Sequence, residues 1–319
     1  LVVVDGTSLI YDGKNVGTVA AGTKQFAVVN TKLVIWPDKK YLDLDTSTLY
    51  DLGASAEKAG AVFTTDTVTL SGAGLGAKFS AGDGVTISGC TTQPGNNKDA
   101  VIKSVSGDSL TFSANAFTAA TEVGTVKIAR RIPDLDYICE SENRLWGVSN
   151  ADKTIYASSL GDPKNFFVYQ GISTDSYALA VGSAGNFTGC CKLASSVLFW
   201  KENALHKILG SYPAEYALYT SDISGVQEGS YKSMAVINDV LFYKAPDGVY
   251  AYSGGTPSLI SQAFGAKRFS DAVAGTDGIH YYLSAKSGGK WHLLVYDTQQ
   301  GIWLEEDNTE ALDFCRYNS

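Results

Sequence analysis

One feature constrains this chain more than any other. A short apolar strand, a polar turn and an aromatic-rich strand recur along it. FAVVN (26–30), YICES (137–141), GCCKL (189–193), MAVIN (234–238) and DAVAG (271–275) each precede a run anchored at Leu33, Leu145, Val197, Val240 or Ile279, and the anchors are separated by 112, 52, 43 and 39 residues. A third strand follows each pair, as KYLDL, TIYASS, ALHKIL, GVYAYS and HLLVYD, and then a shorter fourth, as TLYDL, NFFVY, YALYT, PSLIS and GIWLE. Four antiparallel strands every ~40–50 residues is the period of a β-propeller blade. Such a sheet cannot bury both of its faces alone, so each blade must stack on the next.

Composition agrees. Charged residues make up only 18% of the 319, while Gly reaches 33 and Tyr 18, a balance that favours sheet over helix. The repeat places Ala27, Cys139, Cys191, Ala235 and Val273 on inner strands near a central channel. Trp36, Trp146, Trp200 and Tyr243 are expected at equivalent positions of successive second strands.

The ends of the chain supply a further expectation. LVVVDGTSLIYDGKNVGTV at the start reads as three blade strands, and ALDFCRY (311–317) near the end reads as a fourth, innermost one. Together they complete a blade. The expected fold is therefore all-β: a six-bladed propeller closed by N- and C-terminal strands, without exposed sheet edges.

The separation of 112 residues is roughly 70 too long for one blade step. Residues 56–132 fill it, rich in Thr, Ser, Gly and Ala and free of Tyr and Trp. VFTTDTVTLSG, GVTISGC, DAVIKSVSGDSLTFS and GTVKIARRI alternate apolar and polar residues between Gly-containing turns. The expectation is a small antiparallel barrel of five or six strands, inserted between the first two complete blades with exit and re-entry at about Gly53 and Pro133. The domains are then 1–55 with 133–319 as the propeller and 56–132 as the insertion, which should project as an autonomous docking arm.

The residues offer little chemistry. A net charge of −8 opposes direct nucleic-acid binding, and the one dense basic spot, Lys127 with Arg130-Arg131, is small. The five cysteines form no CxxC pair and no zinc spacing, so they are expected as reduced structural thiols. No run of about 18 apolar residues is present, which argues against a membrane partner. With Met234 the only methionine, the chain is expected to be processed or cut from a longer product. His206, His280 and His292 are expected to serve packing or surface. Asp43 and Asp45 share one side of a strand and suggest a calcium contact only weakly beside a solvated pair. Asn186 begins a glycosylation triplet read as chance, and Glu305-Glu306-Asp307 reads as a solvated acidic turn. No catalytic motif, sialidase-type turn, cofactor site or metal site is expected.

Four segments carry a family resemblance: NRLWGVSNADKTIYASSLGDPKNF (143–166), STDSYALAVGSAGNFTGC (173–190), GVYAYSGGTPSLIS (248–261) and LVYDTQQGIWLEED (294–307). The chain resembles virion proteins of tailed bacteriophages and prophages. Residues 140–260 are also similar to the packaged-DNA stabilisation, or tail-hub adaptor, proteins of short-tailed phages. The resemblance implies a non-enzymatic virion structural protein, assembled in the host cytoplasm, whose partners are other tail or head–tail connector proteins in multiple copies. The alternative expectation is a receptor- or glycan-binding propeller at the tail tip.

Overall fold

A computed structural model describes residues 1–315. Its strands form eight antiparallel sheets, and five of these are four-stranded with strands in plain chain order. They are blade 1 (25–51), blade 2 (137–180), blade 3 (187–221), blade 4 (235–259) and blade 5 (270–307). A three-stranded sheet of Val2–Asp5, Ser8–Tyr11 and Lys14–Thr18 precedes blade 1 and packs Leu9 against its Leu33, Ile35 and Leu42. The protein is all-β and β-propeller-like.

The inner strands are Gln25–Val29, Tyr137–Ser141, Phe187–Leu193, Ala235–Ile237 and Ser270–Thr276, each at one edge of its sheet. They carry Ala27, Cys139, Cys191, Ala235 and Val273, as the repeat requires. Alternation along the strands then gives every blade two apolar faces. Trp36 and Leu145 share the core between blades 1 and 2, Trp146 and Phe199 that between 2 and 3, Trp200 and Tyr243 that between 3 and 4, and Phe242 and Tyr281 that between 4 and 5.

Those cores correct the alignment of the second strands. Trp36, Trp146 and Trp200 all point towards the following blade, but Tyr243 points back towards blade 3. Phe242 is the true equivalent of the tryptophans. In blade 4 the in–out pattern is offset by one residue, which in a strand exchanges the two faces.

Two strand expectations also change. NFFVY (165–169) is not the fourth strand of blade 2; Tyr177–Ala180 is, and 158–176 forms a long connection before it. Ala311–Cys315 pairs with no strand, and the rest of ALDFCRY lies outside the described residues. Instead Ser284 Oγ donates to Thr309 O (2.8 Å) and accepts from Ala311 N (3.0 Å). Asp313 pairs with Lys232 at 2.8 Å, and Phe314 lies over Gly275 and Tyr282. The C-terminal segment thus crosses the inner edge of blade 5, and among the described residues Val2–Asp5 pairs with Ser8–Tyr11 alone. Among the described residues no core joins blade 5 to the N-terminal sheet. Val3 on one side and Leu304 on the other stay 42% and 55% exposed.

The insertion is richer than expected. It runs from Ala54–Ala59 to Thr125–Arg130 and contains nine strands in a five-stranded and a four-stranded sheet, with a short α-helix, Leu75–Lys78, and a 3-10 turn, Pro94–Asn96. Several strands have only two or three residues, such as Val62–Phe63 and Ala120–Thr121, too few to show alternation. Its core is its own and includes Phe63, Leu75, Phe79, Ile87 and Ile128.

Candidate functional site

The joint between insertion and blades holds one of the chain's buried ion pairs. Ala54 and Arg130 face each other as paired residues, so the two connections lie side by side, as an inserted domain demands. Arg130 Nε donates to Leu52 O at 2.9 Å and a terminal nitrogen donates to Asp83 Oδ2 at 2.5 Å. Asn165, from the long connection of blade 2, donates through Nδ2 to Asp83 Oδ1 (3.1 Å) and to Asp162 Oδ2 (2.9 Å), and accepts from Gly84 N (3.1 Å). Arg130, Asp83 and Asn165 are 8%, 1% and 3% exposed. A side chain at 84 would meet the Phe167 carbonyl oxygen, which lies 2.6 Å from the Cβ position, so only glycine lets the backbones approach this closely. Arg131 covers the Phe167 ring at 4.4 Å.

The insertion keeps its own core, and it also contacts the blades directly. A buried ion pair inside the insertion, Arg130 with Asp83, bonds in turn to Leu52 O beside blade 1 and to Asn165 in the connection of blade 2, and so ties the insertion to both. Removing one member of such a pair costs far more than the pair itself contributes.

Beside this joint opens a cleft of about 720 Å³. Blade 1 supplies Tyr41 and Tyr50, paired across neighbouring strands, with rings stacked at 5.2 Å and 22°. Tyr41 is buried and Tyr50 is 43% exposed, so the pair offers one open aromatic surface. The insertion supplies Lys78, Lys127 and Arg130, and blade 2 supplies Lys164. Burial and the neighbouring Tyr50 raise the Tyr41 hydroxyl above its ordinary range, against the opposing pull of Arg130. Four cationic side chains and a single carboxylate, Asp51, line the cleft, and Asp51 is itself paired with Lys40 at 2.6 Å. Arg130 is paired with Asp83 and Lys164 with Asp162 at 3.7 Å, so Lys78 and Lys127 supply most of the net positive charge at the cleft. A second cleft of about 820 Å³, on the flank formed by Phe167, Tyr169 and residues 99–103, is more apolar.

Of the residues singled out from sequence, Lys127 and Arg130 reach the cleft, whereas Arg131 turns to Phe167 and Asp99. Asp43 and Asp45 do not form a cation site. The Asp43 carboxylate accepts from Asp45 N and Thr46 N, and that backbone bonding holds its pKa below the usual carboxylate range. His280 bonds Asp277 at 2.7 Å and His292 bonds Glu305 at 2.5 Å, so Glu305 belongs to a strand pair rather than a solvated turn. His206 is buried between Ser183 and Thr220 hydroxyls. Asn186 receives a hydrogen bond from Lys153. Among the described residues no three His, Cys, Asp or Glu side chains gather as metal ligands. Tyr50, Lys78 and Lys164 were not legible as site residues, because three separate segments bring them together.

No family model matches the chain, and no curated protein matches it. Among solved structures, a putative exported protein of Bacteroides fragilis is similar at 8% identity and a TM-score of 0.35, over 79% of this chain and 76% of that one. KlHsv2 with loop 6CD replaced by a Gly-Ser linker is similar at 12% identity and a TM-score of 0.38, over 97% and 94%. At that distance neither says what this chain binds.

Proposed function

We propose that this protein is a non-enzymatic structural component of a tailed-phage virion, in the tail or head–tail adaptor, acting through contacts with neighbouring subunits. The observation that carries this reading is a pair of exposed apolar faces on the N-terminal sheet and on blade 5, with Val3 and Ile10 on one and Ile302 and Leu304 on the other. Exposed apolar patches mark sites of protein–protein contact. In this reading the N-terminal sheet belongs to a sixth blade, and a neighbouring virion subunit docks on these faces. The rigidly held insertion supports the same role, since it can transmit a fixed geometry between partners.

Val3→Glu combined with Leu304→Glu tests the reading. Both residues are exposed, so the soluble protein should keep its far-ultraviolet circular dichroism while incorporation into particles falls sharply. Normal incorporation of the double variant, or particles that lack the protein altogether, would overturn the proposal.

A further inference from the structure

We infer that the cleft between blade 1, the insertion and blade 2 binds a short stretch of anionic saccharide. The inference is independent of virion assembly and stands or falls without it. Its volume, about 720 Å³, lies in the range of small-molecule sites, and its position between two domains is where such sites concentrate.

The lining specifies the ligand class. Tyr50, stacked on Tyr41, presents a firm aromatic surface of the kind that packs on the C–H face of a pyranose, with a hydroxyl at its rim. Lys127 and Lys164 stand on different elements around the same space. Lys78 Nζ is held by Ser55 O at 3.0 Å, which keeps one of its hydrogens occupied and leaves the charge at the wall.

Arg130 completes the wall. Its side chain is only 6% exposed, yet it lines the cleft, with Nε and one terminal nitrogen engaged by Leu52 and Asp83. That bonding holds its guanidinium in a fixed place beside the lysines. The arrangement suits sugar better than nucleic acid. A nucleic-acid groove carries a longer cationic track than four side chains provide, and Tyr41 is already covered by its partner ring.

Isothermal titration of the full chain at about 20 mM salt, where screening is weak, gives the test. The probes are an α-1,4-galacturonate hexamer, a heparin-derived hexasaccharide, neutral maltohexaose, inorganic phosphate and hexathymidylate. At least one acidic hexasaccharide should bind, more tightly than phosphate or maltohexaose. Lys127→Ala with Lys164→Ala should weaken that binding by roughly tenfold or more, and Tyr50→Ala by roughly fivefold. Tyr50 and Lys127 are exposed, whereas Lys164 is half-buried and paired with Asp162 at 3.7 Å, so circular dichroism must verify that each variant folds. Silence from both acidic sugars overturns the inference. So does maltohexaose binding as tightly as they do, phosphate binding that is tighter and indifferent to Tyr50→Ala, or hexathymidylate outcompeting both.

Discussion

The indole of Trp200 and the phenol of Tyr243 meet with ring centroids 4.7 Å apart across the boundary of blades 3 and 4. Both side chains are fully buried, and Tyr243 donates its hydroxyl proton to Ser224 O at 2.6 Å. This contact is the strongest single expression of how the blades hold each other. Trp200→Ala should destabilise the protein by ~3–5 kcal/mol in urea unfolding, because the cavity sits between two sheets that cannot collapse independently. Tyr243→Phe keeps the ring and should cost about 1 kcal/mol. Equal losses from the two substitutions would contradict the stacking account.

Arg130→Met should cost about 3–5 kcal/mol, since it leaves Asp83 buried and without its cation. Hydrogen exchange checks where the damage falls. Faster exchange is expected at Gly84 and in 165–168, whereas the amides of blades 4 and 5 should keep wild-type protection. Damage spread evenly over all blades would show that the joint is part of one continuous core.

Burial lowers the His206 pKa to about 4, with Lys201 adding to the shift and Asp222 opposing it. Between its ordinary value of 6.5 and about 4, the unfolded chain takes up this proton and the folded chain does not. The contribution is therefore complete above pH 6.5 and is lost as pH falls towards 4, on the order of 2–3 kcal/mol. His280 works in the opposite direction, because its bond with Asp277 raises its pKa, but it is solvent-facing and its effect is small. His206→Gln should flatten the stability profile between pH 6.5 and 4; an unchanged acid slope would contradict this assignment.

The thiols should separate by accessibility. Cys315 is exposed, Cys90 is buried with its pKa pushed up to about 11, and burial first, then contact with Cys139, raises that of Cys190. With an aromatic disulfide reagent at mildly alkaline pH, Cys315 should react fast, and Cys90 and Cys190 only on unfolding. Rapid reaction of Cys190 in the native protein would mean that the boundary of blades 2 and 3 opens.

Much of the array was legible because each blade repeats strong short-range signals. Tyr137–Ser141 coincides with the inner strand expected from YICES, and four of the five fourth strands fall where their apolar runs suggest. What failed was decided by tertiary contacts. Phe166 and Phe167 look like strand residues, but they belong to the connection that receives the insertion. Tyr243 could be matched to Trp200 by chemistry but not by face, since one residue of offset leaves the composition unchanged while reversing every side chain. The cleft was invisible for the same reason: Tyr50, Lys127 and Lys164 are far apart along the chain, and nothing local marks them as neighbours.

For the proposed virion role, electron cryo-microscopy of the particles that would contain this protein is the most direct test. The account predicts repeated copies of this array with the insertion held against blades 1 and 2, and a neighbouring subunit covering Val3 and Leu304. Particles without the protein, or copies in which Val3 and Leu304 face solvent while the contacts lie elsewhere, would contradict it.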